Sequence, residues 1–374
     1  MGHVLAFLER LPLVGRADST PELYLVGAVV VALALDRETD LLLAVVVDDG
    51  VLTDAGVPPD DELLHGATFG QSGLNRFDGR RPGFVSRPPT STMLPPIADR
   101  FVAGESIDGA VAHVRSLDDA GIAAIVNHLG EHYDDPVDAR ADTEQYLRLL
   151  ERLPTTDPPV AVSVKPSQLG LGVDEGVFRD NLDRIAEVAA ETDTVLWLDM
   201  EDHGTTDATI RAYEALCATY GGGVGICLQA NLKRTPDDVA RLADTPGAIR
   251  LVKGAYDEPA DLAYRDRAAV DDAYRDLLRQ LFAETTVGIA VATHDDAMID
   301  RALDLSARYD RDYEFQMLMG VREDRQRELA ATETVYQYVP YGSAWASYFY
   351  RRVRERRENL GFALRAIVDS VAGR

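Results

Sequence analysis

Lysine is almost missing from this chain of 374 residues: only Lys165, Lys233 and Lys253 occur, beside 35 arginines (38 Lys and Arg together, less 3). Each lysine stands just past a short apolar, β-rich run, in AVSVKPSQLG, GICLQANLKRT and AIRLVKGAYDE. Cations at the carboxyl ends of buried strands point to an anion-binding site on an α/β scaffold. Cysteine is scarce as well. Cys217 and Cys227 are the whole complement and lack metal-ligand spacing, which excludes a disulfide framework and leaves two buried thiols in a reducing compartment. Long apolar runs are absent too: the most apolar segment, residues 23–35, ends at Asp36 and carries neither the length of a membrane span nor the flanks of a signal peptide. With the second apolar run at 41–47 it reads as a strand hairpin or a short buried helix. No GxGxxG follows a strand, which counts against a Rossmann dinucleotide site.

What the chain has in excess is acid. Sixty-three Asp and Glu give a formal net charge of −25, spread along the sequence rather than gathered in a tail. Such a surface repels nucleic acid and anionic bilayers. Diffuse acidity with many Arg and almost no Lys also resembles proteins of salt-loving cytoplasms, where salt screens self-repulsion.

The chain divides near residue 93. Residues 75–92, NRFDGRRPGFVSRPPTST, are rich in Pro, Arg, Gly and Ser without periodicity and read as a linker. Beyond it, apolar runs at 122–129, 160–164, 195–200, 224–229, 249–252, 287–292, 313–318 and 335–339 form eight candidate strands. Each is followed by an amphipathic stretch, FRDNLDRIAEVAAE after the second and AYRDLLRQLFAE after the fifth. Eight strand-helix units over about 250 residues predict an α/β fold, a (β/α)8 TIM barrel with an N-terminal extension. A doubly wound open sheet is the runner-up, because periodicity does not show closure.

In such a barrel the chemistry gathers where the strands end. Ionisable or amide groups stand there on all eight: His128, Glu131 and His132; Lys165; Asp199, Glu201, Asp202 and His203; Gln229, Asn231, Lys233 and Arg234; Arg250, Lys253 and Tyr256; Thr293, His294 and Asp295; Gln316; Tyr338. Eight polar strand ends converging on one mouth predict a ligand site. The last helix adds YFYRRVRERRENL, in which Arg351 and Arg352 are one turn from Glu355. Two guanidinium forks oriented by a carboxylate suit a small carboxylic acid. The alternative for this stretch is a solvated basic helix face.

The ordered series SVKPSQLG, LDMEDH, LQANLKRT, RLVKGAY, ATHD, EFQMLMG, YVPYG and YFYRRVRE resembles the proline dehydrogenase family from about residue 101 to the C-terminus. The resemblance implies a distorted (β/α)8 barrel that binds FAD at its mouth, oxidises L-proline to Δ1-pyrroline-5-carboxylate and passes electrons to a membrane quinone. It implies Arg351 and Arg352 on the proline carboxylate, Lys165 and Tyr338 closing the pocket, and Leu318 packing on the ring. Asp199 and Arg250 are implied at the reacting centre. Met200, Gln229, Arg250, Lys253, Gly254, Ala255, Thr293, His294 and Glu355 are implied around the flavin. Asn231 and Asp257 depart from the pattern, standing where members often carry an aromatic residue. Further implications are a cytoplasmic enzyme, peripheral at the inner face of the membrane through transient contact, with no nucleic-acid partner and with self-association open.

Two other classes compete. The string HLGEH matches the HxxEH zinc motif through His128, Glu131 and His132, which suggests a metal-dependent hydrolase, although Gly130 and a preceding strand do not suit the helix that motif needs. A non-enzymatic flavin or proline sensor on the same barrel is the third. Residues 1–92 are unexplained by any motif: Met93 opens a segment similar to the start of single-domain members, so the extension reads as an accessory domain or as the product of an upstream start.

Overall fold

The computed structural model describes residues 30–35, 41–46, 100–130 and 132–345. The chain separates into two units, Met1–Met93 and Leu94–Arg374. In the first, β1 (Val30–Leu35) and β2 (Leu41–Val46) pair antiparallel, with Leu35 opposite Leu41, so the two apolar runs adopt the hairpin rather than the helical reading.

In the second unit strands and helices alternate: α1 (Ile107–Asp118), β3 (Ala123–His128), α2 (Pro136–Leu150), β4 (Ala161–Val164), α3 (Glu175–Glu191), β5 (Val195–Leu198), α4 (Thr206–Tyr220) and β6 (Val224–Gln229). The order continues with α5 (Thr235–Leu242), β7 (Ala248–Val252), α6 (Arg267–Glu284), β8 (Gly288–Ala292), α7 (Asp296–Tyr309), β9 (Glu314–Leu318), α8 (Glu323–Ala330) and β10 (Val335–Tyr341). β3 to β10 are all parallel and close on themselves, β10 pairing with both β3 and β9. Closure excludes the open doubly wound sheet. The eight predicted runs all appear, with ends shifted by at most two residues: the third stops at Leu198 and the last extends to Tyr341.

The strands read as continuous apolar runs because both of their faces are buried. One face of Val126, Val162, Leu196, Ile226, Ile249 and Leu251 packs outward on Phe178, Leu182, Tyr213, Leu277 and Phe282 of the helices. The other face fills the barrel with Ala123, Ile125, Ala161, Trp197, Ala290 and Tyr336. Acidic residues start several helices: the side chains of Asp135, Asp174, Asp266 and Asp295 accept backbone N–H groups of the first turns of α2, α3, α6 and α7. These caps satisfy otherwise unpaired donors and suit the positive end of the helix dipole. Part of the chain's acidity is therefore structural.

Candidate active site

The mouth is organised around Asp199, the residue that follows β5. Its Oδ1 accepts from Ser163 Oγ (2.6 Å) and Arg250 Nη1 (2.7 Å), and its Oδ2 from Lys165 Nζ (2.8 Å) and Tyr338 Oη (2.8 Å). The four donors come from or just beyond β4, β7 and β10, so the cluster exists only once the barrel closes. Burial alone would raise the Asp199 carboxyl, but Lys165 and Arg250 hold it well below the usual carboxylate range. Burial likewise opposes the charge on Lys165, and Asp199 overrides it, driving the ammonium above its ordinary value. An aspartate with both oxygens occupied and its pKa depressed is an anchor for cations, not a base.

Arg250 is 4% exposed and lies with its guanidinium 4.5 Å over the ring of Trp197. Gly225 on the neighbouring strand makes room for that indole, since a Cβ there would overlap it. The Nε of Arg250 donates to Gln316 Oε1. Its Nη2 is buried and, among the described residues, makes no hydrogen bond, as is true of Asn231 Oδ1. An orphan donor and an orphan acceptor at one mouth suit a ligand that carries both functions.

Beside this cluster, past β6 and β7, opens a cavity of about 610 Å³ lined by Asn231, Lys253, Gly254, Ala255, Tyr264 and Arg267, among others. Gly254 has φ +107°, and a Cβ on it would collide with Asn231, so glycine is required there for both conformation and space. Lys253 lies between Asp271 (2.5 Å) and Asp295 (2.8 Å), which tether the cation at the cavity edge. Burial opposes ionisation of Asp295, and Lys253 more than offsets it, lowering its pKa. Asp257 is almost fully exposed and bonds Arg265 at 2.9 Å.

The remaining predicted residues take varied positions. Met200 is buried beside Asp199, and Gln229 turns its amide to the backbone oxygen of Glu201 (2.8 Å). Thr293 Oγ1 accepts from Asp295 N, and His294 Nε2 accepts from the Leu318 backbone N–H at 3.2 Å, which places the imidazole proton on Nδ1. The Leu318 carbonyl accepts from Gln326 Nε2, so its peptide is held on both sides. Arg351, Arg352 and Glu355 lie outside the described residues, as does Glu131.

Two readings need correction. Lys233 does not join the mouth: it is exposed and caps the carbonyls of Ala260 (2.9 Å) and Asp261 (3.2 Å), because the loop after β7 folds back over β6 and offers it free oxygens. The HLGEH string is not helical. His128 ends β3 with Nδ1 3.4 Å from Asp142, while His132 sits in a loop at φ +58° with its N–H on Ser167 Oγ, so one helical face does not present both histidines. Among the described residues no three His, Cys, Asp or Glu side chains cluster to hold a metal. Sequence reading missed Ser163, Trp197 and Glu314, although each lies two residues before Lys165, Asp199 or Gln316, the alternation that puts them on the same inward face.

The family model described as proline dehydrogenase matches residues 110–365. The proline dehydrogenase of Deinococcus radiodurans is 39% identical over 282 residues, covering 73% of this chain and 90% of the relative. Proline dehydrogenase 1 of Bacillus subtilis strain 168 is 35% identical over 276 residues, covering 72% and 90%. Among solved structures, proline utilization A of Bdellovibrio bacteriovorus inactivated by N-propargylglycine is similar with a TM-score of 0.63 at 22% identity, over 70% of this chain and 33% of that one, a likeness of fold. A closed barrel with a lysine, an arginine and a tyrosine gathered on one aspartate, matched over most of its length by these relatives, belongs to the proline dehydrogenase family.

Proposed function

We propose that the chain oxidises L-proline to Δ1-pyrroline-5-carboxylate, the first step of proline catabolism, with FAD as its cofactor and a membrane quinone as the final electron acceptor. The observation that carries this reading is the half-buried Asp199 hub, which fixes Lys165, Arg250 and Tyr338 at the mouth of a barrel that matches the family. The residues present suit a flavin: its ring carbonyls and N–H groups would supply the acceptor and the donor that Arg250 Nη2 and Asn231 Oδ1 lack, and Lys253 and Arg267, which line the cavity, would hold its pyrophosphate. When bound, FAD supplies the two-electron acceptor for the C–H bond of the amino acid.

The protein's own share is binding and orientation. The Arg351 and Arg352 pair holds the proline carboxylate, Lys165 and Tyr338 close the pocket, and Leu318 packs on the ring. Arg250 would supply positive charge to a bound flavin, whose reduction adds negative charge. Asp199 keeps Lys165 and Arg250 aligned and takes no proton. Met200, Gln229, Gly254, Ala255, Thr293, His294 and Glu355 complete the cofactor cradle. The working unit is residues 93–374, with residues 1–92 as an N-terminal extension to which no role is assigned. The enzyme acts in the cytoplasm and meets the membrane transiently. Among the described residues no helix is long and apolar enough to cross a membrane.

The test is direct. The purified chain should be yellow, release FAD on denaturation, and bleach when proline is added without oxygen. A colourless protein that also fails to take up added FAD would overturn the assignment.

A further inference from the structure

The cluster at the mouth does not end at Arg250. A row of polar side chains continues down the inside of the barrel from it, through Gln316 to Glu314, the first residue of β9. Arg250 Nε donates to Gln316 Oε1, and Gln316 Nε2 donates to Glu314 Oε1 at 2.5 Å. Gln316 is 4% exposed, so neither of its amide atoms is satisfied by bulk water. Hydrophobic side chains surround the row. Trp197 lies against the guanidinium, and Ala290 and Tyr336 belong to the same barrel filling.

An amide has one acceptor end and one donor end, and here both are spoken for. While Glu314 is ionised it only accepts, so it can bond Gln316 only through Nε2. That leaves Oε1 for Arg250 and fixes the guanidinium so that Nη1 reaches Asp199 and Ser163. A protonated Glu314 can instead donate to Oε1. An amide that turns over to accept this O–H presents an N–H to an N–H of Arg250, a contact that pushes the guanidinium away. We infer that Glu314 and Gln316 are positioning residues for Arg250, a relay by which the ionisation of a carboxylate low in the barrel sets the orientation of the cation at its mouth.

The electrostatic surroundings support a relay that works near neutral pH. Burial pushes the Glu314 carboxyl up to about 7, against the opposing pull of Gln316 and Arg250. The charged or titratable groups that bear on it are Arg250 of β7 and, on β10, Tyr336, whose own hydroxyl is driven above its ordinary value by burial and stays neutral. Asp199 lies beyond Arg250, is held ionised, and does not titrate in this range. Glu314 is therefore the member of the row whose charge changes near pH 7.

The inference rests on the flavoenzyme reading for its consequence and for the flavin readouts of its test, whereas the emission of Trp197 tests it independently. Trp197 reports on Arg250 directly, because the guanidinium lies on its ring. In the full-length flavin-loaded protein carrying Trp345→Phe, the only tryptophan left is Trp197. Its emission and the visible flavin spectrum, recorded without proline, should both change across neutral pH with a common midpoint, and both should be flat with Glu314→Gln added. A transition that persists unchanged in Glu314→Gln would overturn the relay. Gln316→Met should then slow the bleaching of flavin by saturating proline by about tenfold while KM and melting temperature move little, because orientation at the reacting centre is lost rather than substrate binding. Unaltered bleaching in Gln316→Met would also overturn it. A parent protein that never bleaches with proline would refute the substrate assignment, and the pH titration of Trp197 would still decide the relay.

Discussion

At the scale of the residue, Asp199 is the position on which the others depend. Replacing it with Asn leaves the buried Arg250 and the half-buried Lys165 without a counter-charge, which costs on the order of 3–5 kcal/mol. Asp199→Asn should therefore melt far below the parent and retain little flavin, checked by thermal unfolding and absorbance. The pH dependence of this cluster follows from the directions of its shifts. The depressed Asp199 contributes stability that is present above the ordinary carboxylate value and lost only as pH falls through its lower folded value. The raised Lys165 contributes stability that is present below its ordinary value and lost as pH rises through its higher folded value. Glu314 has the opposite sign for an acid: its folded pKa of about 7 exceeds the unfolded one, so stability falls as pH rises from about 4.5 to 7. Glu314→Gln should thus raise the melting temperature at pH 8, by about 1–3 kcal/mol of stability, and change it little near pH 4. Equal effects at both pH values would contradict the burial argument. For the arginine pair, Arg351→Lys or Arg352→Lys should raise KM for proline about tenfold with flavin content kept, since an ammonium does not reproduce a bidentate fork.

At the scale of the element, the loop after β7 carries the cavity. It leaves the strand at Gly254, is tied to β6 by the Leu232–Ala263 bridge, and is fastened across the mouth by Glu258, which is 3% exposed and accepts from both the backbone and the ring of His203. Gly254→Ala should cost about 1–3 kcal/mol from its φ alone. It should also weaken flavin binding, because Asn231 has to move, and flavin titration of the variant gives the check. The sequence showed this loop as a polar strand end with a lysine and a glycine. Its fastening to His203 was not legible, because the two positions are 55 residues apart and meet only when β5 and β7 are brought into one barrel. The same holds for Lys253: its strand-end position was readable, its two carboxylate partners on α6 and at the start of α7 were not.

At the scale of the whole molecule, charge dominates. A net charge of −25 repels itself within one body, and the Debye length shrinks from about 10 Å at 0.1 M salt to about 3 Å at 1 M. The melting temperature should rise between those concentrations. A flat response would remove the halophile reading. Much of the described surface already pairs its acids with arginine, as in Arg184–Glu144, Arg211–Glu175 and Arg241–Glu214, but such exposed pairs contribute little each. Under the proposed quinone reading, electron delivery requires a local or transient contact rather than a basic face, and binding to anionic vesicles should stay weak.

Hydrophobic period and chain order by themselves determined the eight strands, the helices between them and the identity of the residues that end each strand, because these are properties of a few neighbouring side chains and of strand alternation. The hairpin of residues 30–46 was readable down to a choice of two forms. Only the tertiary structure decided which strand-end groups act together. It put Arg250 on Asp199 from 51 residues away, took Lys233 out of the mouth, separated His128 from His132, and gave Glu314 a neutral-range pKa. Hydrogen bonds and charge shifts depend on distance and burial, and both are set by closing β10 onto β3, an event that no local stretch of sequence contains.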